Sequence, residues 1–294
     1  MYKQYKPVHL SPYDHPDIYP GPRPSSSFIF FEGQAHRIEE IDGTAVEDGK
    51  VHVSRSGELS GTLAFSSPET TTVRAFLDAC QAAPVEERVP VLGYGSNVCL
   101  AQLAYKFGMS GDDQGPIVCC RATMKDSDIV FGPFLAPYGS LPAVIAPVKG
   151  AETEVWLTLL DRSQFDHMTS TEGGMALREH DGGKCVLRTG ERFAHVYGYY
   201  YPHALRVDGG WVRFKDIPGQ STLREAWEAD MLDWLKQSTG FTGAREHFFH
   251  LLRWDYAFHL KVEQSLQAFK DGFEHEDFLP CDVFRSIGEM ERTF

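Results

Sequence analysis

The sequence has no long apolar run and no concentration of positive charge. No apolar stretch reaches the roughly 18 residues that a membrane helix requires, and residues 1–7 lack the apolar core of a signal peptide. The 28 basic residues are outnumbered by 41 acidic ones, which gives a formal charge of −13. No run of lysines or arginines is available to follow a phosphate backbone. We therefore expect neither a membrane nor a nucleic acid as a partner, and we predict a cytoplasmic protein.

Cysteine is also scarce, with six in 294 residues and no Cys-x-x-Cys pair. Cys119 and Cys120 are adjacent and too close for a simple structural bridge. Because the others fall inside apolar helix-like or strand-like patterns, we predict reduced core thiols and no zinc ribbon. The six are Cys80, Cys99, Cys119, Cys120, Cys185 and Cys281.

The residues that are present predict a packed α+β protein in four segments. A hydrophobic content of 42% with 13% aromatic residues is enough for a core. The first segment is a proline-rich extended arm lying on the body, the second is β-rich with one helix, the third is a compact core, and the last is a mainly helical cap. Their predicted bounds are 1–27, 28–87, 88–205 and 206–294.

Short strands dominate the predicted elements before residue 205. Apolar runs bounded by turn residues indicate strands at 28–31, 50–53, 61–65, 89–93, 117–122, 128–131, 142–146, 154–160 and 194–201. Ser67-Pro68 is typical of a helix start, Ser163 can cap a short helix to Thr169, and helical spacing prevails from Thr222 to about Asp271. This pattern predicts a small mixed sheet or barrel with helices packed against it.

The segment Val89-Pro-Val-Leu-Gly-Tyr-Gly-Ser-Asn97 is the most informative part of the chain. Its apolar run indicates a buried strand, and apolar residues from Leu100 to Phe107 then recur at helical spacing. Gly93 and Gly95 allow a close approach of the backbone to a ligand. The amides at the start of the helix favour a carboxylate or an oxyanion, so we predict a small-anion site at this turn.

Five stretches in order resemble the γ-glutamylcyclotransferase-like superfamily. They are Tyr94-Gly-Ser-Asn97, Cys120-Arg-Ala122, Phe131-Gly132, Glu154-Val-Trp156 and Thr169-Ser-Thr-Glu172-Gly173. The resemblance covers about residues 88 to 205, and is to long bacterial members that carry extra segments on both sides. It implies that fold for the core.

The resemblance implies a cofactor-independent reaction on a small γ-glutamyl amine or peptide. The α-amine of the substrate attacks its own γ-carbonyl, which releases 5-oxoproline and a free amine. Glu172 is expected to be the general base and acid, with a pKa raised by desolvation, and the Tyr94–Asn97 loop to hold the carboxylate or oxyanion. Many relatives place Leu-Asp shortly before this glutamate, where this chain has Met168-Thr169.

Several other residues have two interpretations. Ser96 lacks the elbow motif and the histidine that a nucleophile needs, so a turn or substrate-binding role is favoured, and Asn97 is expected to cap the helix. Tyr138 and Tyr199 are candidates for a substrate-binding wall, with core packing as the alternative for Tyr199 and its neighbours Tyr197 and Tyr201. Arg121 is a candidate carboxylate partner or a structural ion-pair residue.

The histidines do not identify a metal site in the sequence. His247 and His250 share one helical face, but a third ligand is not apparent, so we predict no metal and no cofactor.

Two alternative functions remain for the same cavity. One is hydrolysis or acyl transfer on another amide or ester, and the other is a binding protein that has lost catalysis. A Glu172 side chain that points into solvent, away from the Tyr94 loop, would favour the binding alternative. Substrate identity and oligomeric state do not follow from the sequence.

Overall fold

A computed structural model describes residues 10–53, 70–108 and 115–294. Within these residues the chain forms eighteen strands and six α-helices. The strands are β1 Phe28–Phe31, β2 Gln34–Ile38, β3 Lys50–His52, β4 Thr70–Thr72, β5 Val89–Gly93, β6 Ile117–Phe131, β7 Ala143–Leu160, β8 Ala176–Asp181, β9 Cys185–Leu187, β10 Arg192–Phe193, β11 His195–Tyr200, β12 His203–Val207, β13 Gly210–Phe214, β14 Gly219–Gln220, β15 Arg224–Ala226, β16 Lys270–Gly272, β17 Phe278–Pro280 and β18 Arg292–Thr293. The helices are α1 Val73–Ala79, α2 Leu100–Gly108, α3 Arg162–Ser170, α4 Glu228–Ser238, α5 Arg245–Trp254 and α6 Tyr256–Leu266.

One large mixed sheet carries the fold, which confirms the predicted α+β class. Its main path runs β17-β8-β11-β5-β7-β6-β1-β2-β3-β4, with shorter strands attached at the sides. Most pairs are antiparallel, whereas β11 pairs with β5 in parallel. In the part of the chain that the structure describes, the ends of this path do not pair with each other. The sheet is therefore open, which confirms the mixed sheet and excludes a closed barrel, the other alternative that the sequence left.

Four of the predicted core strands are in fact two. The segments 117–122 and 128–131 belong to β6, and 142–146 and 154–160 belong to β7. The polar stretch between the apolar runs does not end the pairing, because the register shifts at a bulge between Lys125 and Ser127. Asp126 adopts a positive φ there, and its carboxylate accepts the Gly150 amide at 2.9 Å. Two long paired strands thus span the middle of the sheet.

Helix starts differ from the sequence prediction because other side chains supply the caps. The helix that follows β4 begins at Val73 and is capped by Thr72, whose hydroxyl accepts the Ala75 amide, whereas Ser67-Pro68 and the predicted strand 61–65 lie outside the described residues. The next predicted cap, Ser163, lies inside α3, which Asp161 caps instead.

The N-terminal arm is packed more deeply than a surface segment. Ile18 and Tyr19 are buried, and a short 3-10 helix forms at Pro16–Ile18. The C-terminal segment begins with strands, so its helical part starts only at Glu228. One apolar cluster contains buried residues from all four predicted segments, from Tyr19 to Ile287.

The six cysteines, all within the described ranges, form no disulfide bond, as predicted, and four of them are buried. None of the helices in the described ranges is both long enough and apolar enough to span a bilayer.

Candidate functional site

A cavity of about 480 Å³ opens beside the turn that follows β5. It is lined by seven of the eight residues that the sequence singled out as candidate site residues. These are Tyr94, Gly95, Ser96, Asn97, Tyr138, Glu172 and Tyr199. Segments that are far apart in the sequence therefore meet at one concave surface.

The turn after β5 does not lead directly into an α-helix. Ser96–Val98 forms one turn of 3-10 helix, Cys99 is extended, and α2 begins only at Leu100. The expected anion site at the N-terminus of a long helix is therefore not formed by Gly95–Asn97, and Asn97 is not a helix cap. Instead its side chain extends toward α2 and α3.

Glycine at the turn is required for close packing within the protein. A Cβ on Gly93 would lie 2.9 Å from Val98, and one on Gly95 would lie 2.6 Å from the Tyr19 hydroxyl. Arg23 braces the same turn, since its Nη2 donates to the carbonyls of Tyr94 and Gly95. Arg23 of the proline-rich arm thus fixes the backbone of this turn.

Glu172 lies two residues beyond the end of α3 and faces the turn. Its Oε1 accepts hydrogen bonds from Asn97 Nδ2 at 3.1 Å and from Lys106 Nζ at 2.5 Å. The side chains of Glu172 and Lys106 are only 16% and 9% exposed. Glu172 therefore does not point into solvent, and the arrangement that would have favoured the non-catalytic alternative is not observed.

Lys106 connects the two halves of this site. Its ammonium, on α2, also donates to Asn97 Oδ1 at 2.8 Å and to Thr171 Oγ1 at 2.9 Å. The described donors to Glu172 all contact Oε1, and none of them contacts Oε2. The described residues thus fix one carboxylate oxygen of Glu172 and donate no hydrogen bond to the other.

Tyrosines form most of the remaining wall. The Tyr138 hydroxyl is hydrogen-bonded to Ser96, and the Tyr199 hydroxyl lies 3.0 Å from Thr169 Oγ1. Burial raises the pKa of both phenols above the ordinary value, so both are neutral and can donate hydrogen bonds. Tyr13, Tyr19 and Tyr201 also line the cavity.

Met168 and Thr169 occupy the positions where the resemblance expects Leu-Asp. Met168 packs in the core with its sulfur 3.8 Å from Lys106 Nζ, and Thr169 bonds to Tyr199. The local hydrogen bonding around Glu172 is instead supplied by Asn97, Lys106 and Thr171.

Two of the residues considered in the sequence lie elsewhere. Arg121 pairs with Glu40 at 2.7 Å and lies 3.8 Å from Glu154, so it is a structural ion-pair residue and does not line the cavity. Tyr197 is buried, and its hydroxyl accepts the Arg285 amide at 3.0 Å.

Four residues at this site were not predicted from the sequence, namely Lys106, Tyr13, Tyr19 and Arg23. Lys106 had one available signal, because it is the only charged residue in the helix Leu100–Gly108. The three residues of the arm had none, since a proline-rich segment has no periodicity to show which side chains turn inward.

Among the described residues, potential metal-ligand atoms cluster at His180, His275 and Asp277, and none of these three lines the cavity. His247 and His250 are both exposed on α5.

Comparison of the chain with models of protein families, with curated proteins and with solved structures finds no match.

Proposed function

We propose that this protein is a γ-glutamylcyclotransferase-like enzyme that releases 5-oxoproline from a small γ-glutamyl amine or peptide. The observation that supports the proposal most directly is the hydrogen bond between Asn97 and Glu172 at 3.1 Å. This bond joins two of the five stretches that carry the resemblance, Tyr94–Asn97 and Thr169–Gly173, across one cavity.

The reaction needs a folded substrate and one proton transfer. The substrate amine nitrogen forms a bond to the γ-carbonyl carbon, the amide C–N bond breaks, and the proton from the amine passes to the leaving nitrogen. Glu172 Oε2 is the oxygen that accepts and then returns this proton, because Oε1 is held by Asn97 and Lys106. Holding the substrate in its ring-closing pose supplies a large part of the rate enhancement.

The walls of the cavity suit an amino-acid substrate. The ammonium of Lys106 provides positive charge near the turn, and the neutral phenols of Tyr138 and Tyr199 provide hydrogen-bond donors. These groups, together with the amides of Gly95–Asn97, are the ones we assign to the carboxylate and the developing oxyanion of the substrate. No cofactor enters this scheme.

The test is product formation from a panel of γ-glutamyl amines and dipeptides. The wild-type protein should form 5-oxoproline, and Glu172→Gln should lower kcat by about a hundredfold or more, because the amide keeps the shape but cannot accept a proton. Glu87→Gln, at an exposed glutamate outside the cavity, is the matched control and should retain wild-type kcat. Full activity in Glu172→Gln would exclude Glu172 as the base.

Product analysis in ¹⁸O-labelled water separates cyclisation from hydrolysis. Cyclisation yields unlabelled 5-oxoproline, whereas an amide or ester hydrolase introduces the heavy oxygen into its acid product. Labelled acid without 5-oxoproline would replace our proposal with the hydrolase alternative.

A second candidate is a non-catalytic pocket for an amino-acid-like ligand. The observation that favours it is the ion pair of Lys106 and Glu172, which provides one charge of each sign at the cavity wall. Binding of γ-glutamyl amides by calorimetry with no turnover would support this candidate.

A further inference from the structure

His180, His275 and Asp277 come together at the edge of the sheet, outside the cavity. His180 is on β8, and the other two are on the connection between β16 and β17. One potential metal-ligand atom from each residue lies within 4.8 Å of the others. In a tetrahedral zinc site with bonds of about 2.0 Å, neighbouring ligand atoms are roughly 3.3 Å apart, so a contraction of at most about 1.5 Å would close the cluster.

The hydrogen bonds of the two imidazoles leave one nitrogen of each ring for a ligand. His180 Nδ1 donates to the Asp181 carbonyl at 2.9 Å, which leaves the lone pair on Nε2. His275 Nε2 lies 3.0 Å from Ser127 Oγ, whose own hydroxyl donates to the Lys125 carbonyl, so the lone pair of His275 is on Nδ1. Metal-binding histidines commonly have their other nitrogen fixed in this way.

Because these two nitrogens are buried, leaving them without a hydrogen-bond partner costs free energy. Both histidines are almost fully buried, and His180 Nε2 and His275 Nδ1 have no hydrogen-bond partner among the described residues. A ring nitrogen that is removed from water without a partner costs free energy. The rings pack against Phe278, which fixes their planes but satisfies neither nitrogen.

Asp277 supplies a negative charge at the same point. Its Oδ2 lies 3.9 Å from His275 Nδ1 and 2.7 Å from Lys184 Nζ. Lys184 also lies 3.6 Å from Asp126, so it keeps a carboxylate partner when Asp277 turns toward a cation.

We propose that His180, His275 and Asp277 bind a divalent transition-metal ion, Zn²⁺, as a structural clip. Two neutral imidazoles and one carboxylate are a ligand set that zinc accepts, with a water as the fourth ligand. The ion fastens the β16–β17 connection to β8, next to the paired residues His180 and Phe278. Its function is to hold the C-terminal part of the chain against the central sheet.

The test is titration of the full-length, tag-free protein with Zn²⁺ after treatment with a chelator. Calorimetry should show equimolar binding, Zn²⁺ should raise the melting temperature, and Co²⁺ should give the visible absorption of a four-coordinate site. The absence of equimolar Zn²⁺ binding would overturn the proposal.

Variants assign the ligands. Asp277→Asn changes few atoms at a partly exposed position and should weaken Zn²⁺ binding at least tenfold, roughly, and Ser127→Ala should weaken it by a similar factor through His275. The matched control is His247→Gln with His250→Gln, which removes two exposed histidines and should leave the affinity unchanged. Unchanged binding in Asp277→Asn, or weaker binding in the control, would contradict the assignment.

A variant that binds Zn²⁺ more tightly than the wild type also tests the site, because a folding defect would not raise the affinity. Lys184→Met removes the cation that competes for Asp277, so Zn²⁺ should bind several-fold more tightly than in the wild type. Equal or weaker binding in Lys184→Met, with an unchanged melting temperature of the metal-free protein, would count against the site.

Discussion

The ammonium of Lys106 determines which oxygen of Glu172 is held by the protein. It binds Oε1 at 2.5 Å and also holds the Asn97 and Thr171 side chains, so the carboxylate and two of its neighbours depend on one cation. An ion pair of this kind would position Glu172 for its proposed role as the base, since a carboxylate with several fixed partners has few accessible rotamers.

Removal of this cation should therefore impair turnover more than substrate binding. In Lys106→Met the Glu172 carboxylate loses its closest partner and moves, and we expect kcat for 5-oxoproline formation to fall by about a hundredfold with a smaller change in KM. Lys261→Met, at an exposed lysine of α6, makes the same substitution away from the cavity and should leave both constants unchanged. Steady-state kinetics measure both, and wild-type kcat in Lys106→Met would show that Lys106 does not position the base.

The residues that the sequence could predict are those that recur as motifs. Glu172 and the Tyr94–Asn97 turn belong to short patterns with a fixed order, and the structure brings them to one cavity. Lys106 belongs to no pattern, because its role depends on how α2 crosses α3 in space. Arg121 was a candidate for substrate binding because of its position on a strand. That position does not reveal that its guanidinium pairs with Glu40 and does not line the cavity.

At the scale of the element, helix α3 presents Glu172 because its first turn is well capped. Asp161 accepts the Gln164 amide at 2.9 Å, and the Gln164 side chain accepts the Asp161 amide at 3.1 Å. This reciprocal pair satisfies two amides that the helix cannot bond internally. Gln164 also accepts a hydrogen bond from Arg88, which ties the start of α3 to the residue before β5.

The observed cap predicts that Asp161 contributes more to stability than Ser163, which is the cap that the sequence predicted. Asp161→Ala should lower the free energy of unfolding by about 1 kcal/mol, because the Gln164 amide loses its acceptor. Ser163→Ala, at an exposed position inside the helix, should change it by a few tenths of a kcal/mol, roughly. Urea unfolding followed by circular dichroism measures both, and a larger loss in Ser163→Ala would contradict the assigned cap.

Element types were easier to predict than element lengths. The apolar runs in β6 and β7 gave the strand type correctly, but the polar residues between them suggested interruptions that do not exist. Pairing across the Lys125–Ser127 bulge is a property of two strands together, so neither strand's own sequence encodes it. The strand β2 was missed because Gln34-Ala-His-Arg-Ile38 is half polar and is ordered by its neighbours β1 and β3.

On the scale of the whole molecule, the N-terminal arm and the C-terminal helices contact each other and line the same cavity. Arg245 of α5 pairs with Asp17 of the N-terminal arm at 3.1 Å, and Glu263 of α6 lines the cavity together with Tyr13 and Tyr19. The segments outside residues 88–205 therefore shape the cavity wall. The sequence could not reveal this, since contacts between segments some 230 residues apart leave no local pattern.

A second link between distant segments is the cluster around Arg292. On β18, Arg292 donates to Glu47 at 2.6 Å and 2.9 Å and to the buried Glu191 at 2.7 Å. Glu191 also accepts the Val46 amide at 2.9 Å, so the C-terminal strand and the 3-10 helix Val46–Asp48 share two carboxylates. Burial raises the pKa of Glu191 above its ordinary value of 4.5, which shows that its charge is costly to keep in this position.

Loss of Arg292 should destabilise the whole fold at neutral pH. Arg292→Met leaves two carboxylates close together with Glu191 fully buried, and we expect the free energy of unfolding to fall by about 3 kcal/mol. Arg224→Met, which breaks the exposed pair with Asp208, should cost at most about 1 kcal/mol. Urea unfolding at neutral pH measures this difference, and equal losses in the two variants would contradict it.

The pH dependence of the same variant provides a separate check on the cause. Because the pKa of Glu191 is higher in the folded than in the unfolded protein, the folded state binds more protons as the pH falls toward 4.5. Protonation removes the buried charge that Arg292 normally balances, so the stability difference between wild type and Arg292→Met should shrink on acidification. A difference that stays constant between neutral pH and pH 4.5 would mean that Arg292 stabilises the protein through packing of its side chain and not through its charge.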